Sequence, residues 1–123
     1  MKNKFLFLTL ICAYLTFTQG CRKDYSNNPT HTINVSISSN QAFQYDLGSF
    51  GIEEGASITS QASHFQVSKT ERIINSWKMI YTYTSTLNYV GTDQVEIKTE
   101  RGSPGGGPGN KFTTIIIKFT VTK

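Results

Sequence analysis

The stretch WKMIYTYT, residues 77–84, places Trp77, Met79, Tyr81 and Tyr83 at every second position. Lys78, Ile80, Thr82 and Thr84 fill the positions between them. In an extended chain successive side chains point to opposite faces, so the first set shares one face and the second set the other. Aromatic and β-branched residues also favour a pleated, half-buried surface. The stretch therefore predicts a central β-strand with an aromatic face.

The same rhythm recurs on both sides of this strand. Toward the C-terminus, Val95 and Ile97 point inward from residues 94–99. In residues 112–122, Ile115, Ile117, Phe119 and Val121 alternate with Thr114, Ile116, Lys118 and Thr120. Upstream, Ile33, Val35 and Ile37 form one alternating set and Phe43, Tyr45 and Leu47 another. Weaker strands are expected at 56–59 and 65–67. Residues 48–55 and 102–109 break the pattern with glycines, which mark loops. Residues 69–76 are the one helical candidate, too short and too poor in helix formers to persist, and are expected to be an exposed connection. About seven strands and no sustained helical period predict an all-β, antiparallel β-sandwich.

A second motif sharpens this. In NYVGTDQVEI, residues 88–97, the positions Tyr89, Gly91, Asp93, Val95 and Ile97 resemble a Tyr-x-Gly-x-Asp-x-(Phe or Val)-x-(apolar) segment. That segment precedes the penultimate strand in bacterial immunoglobulin-like and cadherin-like extracellular modules. The resemblance covers roughly the last 45 residues, glycine-rich hairpin and Thr/Val-alternating strand included, and implies an immunoglobulin-like or cadherin-like fold without specifying a function. Physically the motif reads as a structural corner. Gly91 permits a sharp turn, Asp93 can accept hydrogen bonds from backbone amides, and Tyr89 can bury its ring while its hydroxyl reaches a loop carbonyl.

The N-terminal residues carry a different signal. Lys2 and Lys4 precede an apolar run from Phe5 to Phe17, in the order of a secretory leader, and the run is too short to span a bilayer. Gly20 and Cys21 follow, then Arg22, Lys23 and Asp24. This resembles a bacterial lipoprotein signal, in which the leader is removed before the cysteine and the sulfur receives a diacylglycerol. Thr18 stands where that pattern usually has leucine. The resemblance implies a signal peptide over 1–20, a lipidated tether over 21–30 and one domain over 31–123. Cys21 would anchor the chain to the membrane, in the cell envelope and on the surface of an outer membrane. The remaining cysteine, Cys12, lies inside the leader, so the processed chain has no disulfide partner for Cys21.

The chain carries 12 basic and 8 acidic residues, a net charge of +4. Removing Lys2 and Lys4 leaves 10 against 8, or +2. Without a basic cluster beyond Arg22 and Lys23, nucleic acid is excluded as the expected partner. No cofactor is expected either. Asp46, Asp93 and Glu96 are scattered and Glu53 and Glu54 stand alone as a pair, which falls short of the six to eight oxygens calcium takes. His31 and His64 have no third ligand at a metal-binding spacing. No nucleophile-elbow sequence frames a serine, and the glycines of 102–109 lack the Lys-Ser/Thr of a phosphate loop.

Trp77, Tyr81 and Tyr83 are a possible binding surface for a sugar or peptide, but their spacing is also that of a sandwich core, which is the expected placement. The loops 48–55 and 102–109 are the exposed candidates for recognition. The expectation is a noncatalytic, surface-anchored module for adhesion, scaffolding or ligand binding. The alternative is an accessory protein that binds a glycan or inhibits an enzyme through its loops.

Overall fold

The computed structural model describes residues 28–123 except Pro104. The leader, Cys21 and most of the tether lie outside the described residues. The chain forms β1 (Thr30–Ser38), β2 (Phe43–Ser49), β3 (Gly55–Ser60), β4 (Phe65–Arg72), β5 (Lys78–Ser85), β6 (Gly91–Arg101) and β7 (Lys111–Thr122). They build a four-stranded sheet in the order β1-β7-β6-β3 and a three-stranded sheet in the order β2-β5-β4. This is an immunoglobulin-like β-sandwich.

Four strand pairings are antiparallel and one, β1 with β7, is parallel. Its register runs from Thr30 opposite Thr114 to Ser38 opposite Thr122. The first strand therefore enters the sheet beside the start of the last one. Pro29 lies at that entry, its carbonyl accepting a hydrogen bond from the Thr114 amide at 2.9 Å. Ordered sheet structure thus begins inside the segment read as tether. Residues 69–72 belong to β4 and pair with β5, so the expected connection shortens to the turn at 73–77.

Alternation places the core. Met79, Tyr81 and Tyr83 of β5 meet Val95 and Ile97 of β6 and Ile115, Ile117, Phe119 and Val121 of β7. Tyr83 stacks on Phe119, with ring centroids 4.0 Å apart, and Phe43 meets the same ring edge-on at 5.4 Å. Aromatic rings in such geometry add to the stabilisation from apolar burial. The Tyr81 hydroxyl lies 2.8 Å from the Ser68 hydroxyl, so the buried ring keeps a polar partner.

Tyr81 and Tyr83 are completely buried, which removes both from any binding surface. Trp77 departs from the pattern in the other direction, since it is 57 % exposed and lies outside the core. The cause is local. Asn75 adopts φ 60°, the Ser76 amide bonds to the Ile73 carbonyl at 3.1 Å, and the Ile73 amide bonds to the Lys78 carbonyl at 3.0 Å. This tight turn ends the extended chain at Lys78, so the alternation does not reach Trp77. Phe50, 2 % exposed, closes that end of the core instead.

Candidate functional site: the three-loop end

Strands alternate direction along the chain, so its connections divide between two ends of the sandwich. Residues 50–54, 73–77 and 102–110 meet at one end, next to the entry of β1. Residues 39–42, 61–64 and 86–90 meet at the other.

The three-loop end is built around Phe50 and two arginines. Arg101, at the end of β6, lays its guanidinium 3.8 Å from the centre of the Phe50 ring. It also donates to the Leu47 carbonyl at 2.9 Å and to the Ser49 carbonyl. Arg72, at the end of β4, donates to the carbonyls of Phe50 at 3.0 Å, Gly51 at 3.2 Å and Glu54 at 2.8 Å. The Phe50 amide bonds to the Trp77 carbonyl at 2.8 Å. One guanidinium satisfies several carbonyls at once, which suits a loop whose own backbone forms few internal bonds. Gly48 leaves room for this arrangement: it has φ 93°, and a Cβ there would lie 2.9 Å from Arg101 Nη2.

Glu54 ties the third loop in. Its carboxylate accepts from the Gly51 amide at 2.8 Å, the Gly102 amide at 2.6 Å and the Ser103 amide at 3.3 Å. These backbone donors, Gly51 first, hold its pKa below the usual glutamate value. The Ser103 hydroxyl donates to the Gly107 carbonyl at 2.6 Å, and the Gly109 amide donates to Glu100 at 2.7 Å. A braced frame results, and apolar side chains stand out from it. Ile52 is 84 % exposed and Ile74 is 86 % exposed, with Ile73 and Trp77 exposed beside Ile74.

The opposite end holds the corner motif. Asp93 is buried, with Oδ1 accepting from the amides of Ser63 at 2.8 Å and Gln94 at 2.9 Å. Its Oδ2 accepts from the His64 amide at 2.9 Å and the Tyr83 hydroxyl at 2.9 Å. Burial raises the Asp93 pKa, but the amides of Ser63, His64 and Gln94 and the Tyr83 hydroxyl outweigh it, and the net shift is downward. Burial and the bond to Asp93 push the Tyr83 phenol well above its usual range. The Tyr89 hydroxyl donates to the Thr92 carbonyl at 2.7 Å, and its ring stacks on His64 at 4.2 Å. Gly91 has φ 149°, and a Cβ there would lie 2.7 Å from the Tyr89 hydroxyl. Its glycine serves the phenol as much as the turn.

A hollow of about 590 Å³ lies at this second end, with His64, Asp93, Gln94 and Lys118 among its lining. The Asp93 carboxylate in its lining already has four donors, so the charge left to meet a ligand there is that of Lys118. Among the described residues no three His, Cys, Asp or Glu side chains converge as metal ligands, and no helix is long and apolar enough to cross a membrane.

Of the residues singled out in the sequence, the structure gathers Tyr89, Gly91 and Asp93 at one end and leaves Trp77 at the other. Sequence reasoning missed Phe50, Arg72, Arg101 and the exposed pair Ile52 and Ile74. The signal available was an isoleucine within each of two turn segments, where polar residues are usual.

No protein-family model matches the chain, and no curated protein matches it. Solved structures do. The structure of PbICP-C in complex with falcipain-2 matches with a TM-score of 0.50 and 17% identity, over 79% of this chain and 93% of that one. The cysteine protease inhibitor EhICP2 from Entamoeba histolytica matches at 0.46 and 14% identity, over 76% and 97%. Amebosin matches at 0.47 and 14% identity, over 77% and 98%. At this level of identity the likeness to PbICP-C is one of fold.

Proposed function

We propose that the chain is a noncatalytic, lipid-anchored module of the cell envelope that binds a protein through its three-loop end and inhibits an enzyme by occupying its cleft. The observation that carries this reading is the braced frame from which Ile52, Ile74 and Trp77 project. Exposed aromatic and aliphatic residues on a rigid support are suited to act as anchors in a partner's pocket, because little ordering cost is added on binding. PbICP-C, a protein of this fold, is seen in complex with falcipain-2, which supports a protein ligand. A flat aromatic platform for sugar loses support, since Tyr81 and Tyr83 are buried and Trp77 stands without them.

Membrane attachment through Cys21 belongs to the same proposal and rests on the Gly20-Cys21 pair behind its leader. Each buried methylene of an acyl chain contributes about 0.8 kcal/mol, so two or three chains hold a small domain firmly. The experiment is inhibition by the mature protein of a panel of cysteine proteases that includes falcipain-2. Inhibition is expected, and Ile74→Asp or Trp77→Asp should raise the inhibition constant about tenfold or more, which corresponds to about 1.4 kcal/mol. Absence of inhibition across the panel, or equal constants for the variants, would sink the reading.

A further inference from the structure

The parallel pairing of β1 with β7 decides which way the module faces. Had β1 run antiparallel to β7, the chain would have entered at the corner end. Instead Pro29 bonds to Thr114 near the start of β7, so the N-terminal tether joins the domain at the three-loop end. Six residues, 22–27, separate Cys21 from Asn28. The seven Cα steps from Cys21 to Asn28 reach at most about 25 Å. β7 has 12 residues and spans about 40 Å, so the corner end lies farther from the anchor than the tether can compensate.

We propose that the three-loop end is turned toward the membrane that carries the Cys21 lipid, and that its occupant is a protein held in or on that same membrane. This rests on the anchor and on the loop-binding reading above, and adds the orientation and the class of partner. A partner arriving from the distant side would find the corner end, where the Asp93 carboxylate is already engaged by four donors and the exposed apolar residues are Leu87 and Val90. The lipid surface itself is a poor occupant. The charged side chains of the loop between β2 and β3 are the carboxylates Glu53 and Glu54. Of the cations at this end among the described residues, Arg72 and Arg101 are turned onto backbone carbonyls and Lys78 is paired with Asp46, while the exposed Lys111 at the start of β7 has no carbonyl or carboxylate partner. Surfaces that rest on anionic lipid present lysine and arginine around their apolar residues.

The sole tryptophan of the chain, Trp77, reports on this directly. The full chain would be produced in a Gram-negative host, purified from its membranes in detergent and reconstituted into vesicles containing headgroup-dansylated phosphatidylethanolamine. Energy transfer from Trp77 to dansyl is expected to be strong, and to fall severalfold when a long Gly-Ser linker is inserted between Asn27 and Asn28. Weak transfer that does not change with the linker would overturn the orientation, as would a protein that does not float with vesicles. Quenching of Trp77 by brominated acyl chains would make lipid the occupant and overturn the partner class. A photo-crosslinking residue at position 74 in intact cells is expected to capture a protein whose uncrosslinked form itself stays in carbonate-washed membranes, and the adduct is expected to be lost with the long linker. Adducts confined to soluble proteins would overturn the partner class as well. The loop-binding reading fails separately, by the inhibition constants of the Ile74 and Trp77 variants.

Discussion

The two ends of the sandwich solve the same problem, that of holding irregular backbone, with different groups: one buried carboxylate at the corner, and two guanidiniums together with the Glu54 and Glu100 carboxylates at the three-loop end. At the corner end a buried carboxylate, Asp93, gathers amides from Ser63, His64 and Gln94. At the three-loop end the guanidiniums of Arg72 and Arg101 gather carbonyls from residues 47–54. The consequences differ. An aspartate is short and pulls its loop inward until the group is covered. An arginine is long, and lies along apolar surface while its head braces backbone from the side. The carboxylate end thereby closes around Asp93, with Leu87 and Val90 exposed on its 86–90 loop, while the guanidinium end carries Ile52 and Ile74 farther into solvent on its loop tips, with Trp77 exposed beside Ile74.

The largest test of this contrast removes the ring on which the loop end is built. Phe50→Ala should destabilise the domain by about 3–5 kcal/mol, because a nearly fully buried aromatic is lost and Arg101 loses the face it covers. Thermal or denaturant unfolding measures this. A cost below about 1 kcal/mol, the range of an ordinary surface change, would mean that the loops are held without a packed centre.

A smaller cost is expected at the other end. Asp93→Asn keeps the shape but turns an NH2 group toward donors, and should cost roughly 2–3 kcal/mol. The pH dependence follows from the lowered pKa. A group whose folded pKa is depressed contributes stability that is fully present above its unfolded value of about 3.9 and is lost as pH falls through the folded value. The wild-type protein should therefore lose stability more steeply than Asp93→Asn below the ordinary aspartate range. Parallel acid profiles for the two proteins would show that Asp93 is not the charge that seals this end.

This contrast was half legible in the sequence. Tyr89, Gly91 and Asp93 lie within five residues, and the Tyr89–Thr92 and Asp93–Gln94 bonds are local, so a corner could be anticipated from the motif, although the Ser63 and His64 amides that Asp93 gathers lie 30 and 29 positions away. The alternation in β5 and β7 likewise located Tyr81, Tyr83, Ile117 and Phe119 in the core. The loop end could not be read that way. Arg101 meets Ser49 and Leu47 across more than fifty residues, and Arg72 meets Phe50 across 22 positions, 50 to 72. Nothing in the spacing of an arginine announces which carbonyls it will brace. Trp77 misled for a related reason, since an asparagine in the left-handed region at Asn75 ends the strand and cancels a periodicity that otherwise continues through it. The parallel placement of β1 is also silent in a local pattern, because alternation fixes which face a residue occupies and leaves strand direction open.

The smallest effect is the one that separates support from contact. Trp77→Ser together with Ile74→Ser should change stability by no more than about 0.5 kcal/mol each, since both side chains project from the frame rather than into it. The hydrogen bonds that fix their turn run through the backbone of Ile73, Ser76, Trp77 and Lys78, and neither substitution removes one. Apolar side chains that contribute almost nothing to folding while standing in water reflect a requirement other than folding. A loss of several kcal/mol in the double variant would place these residues with Phe50, as structure, and their exposure would no longer set the three-loop end apart from the corner.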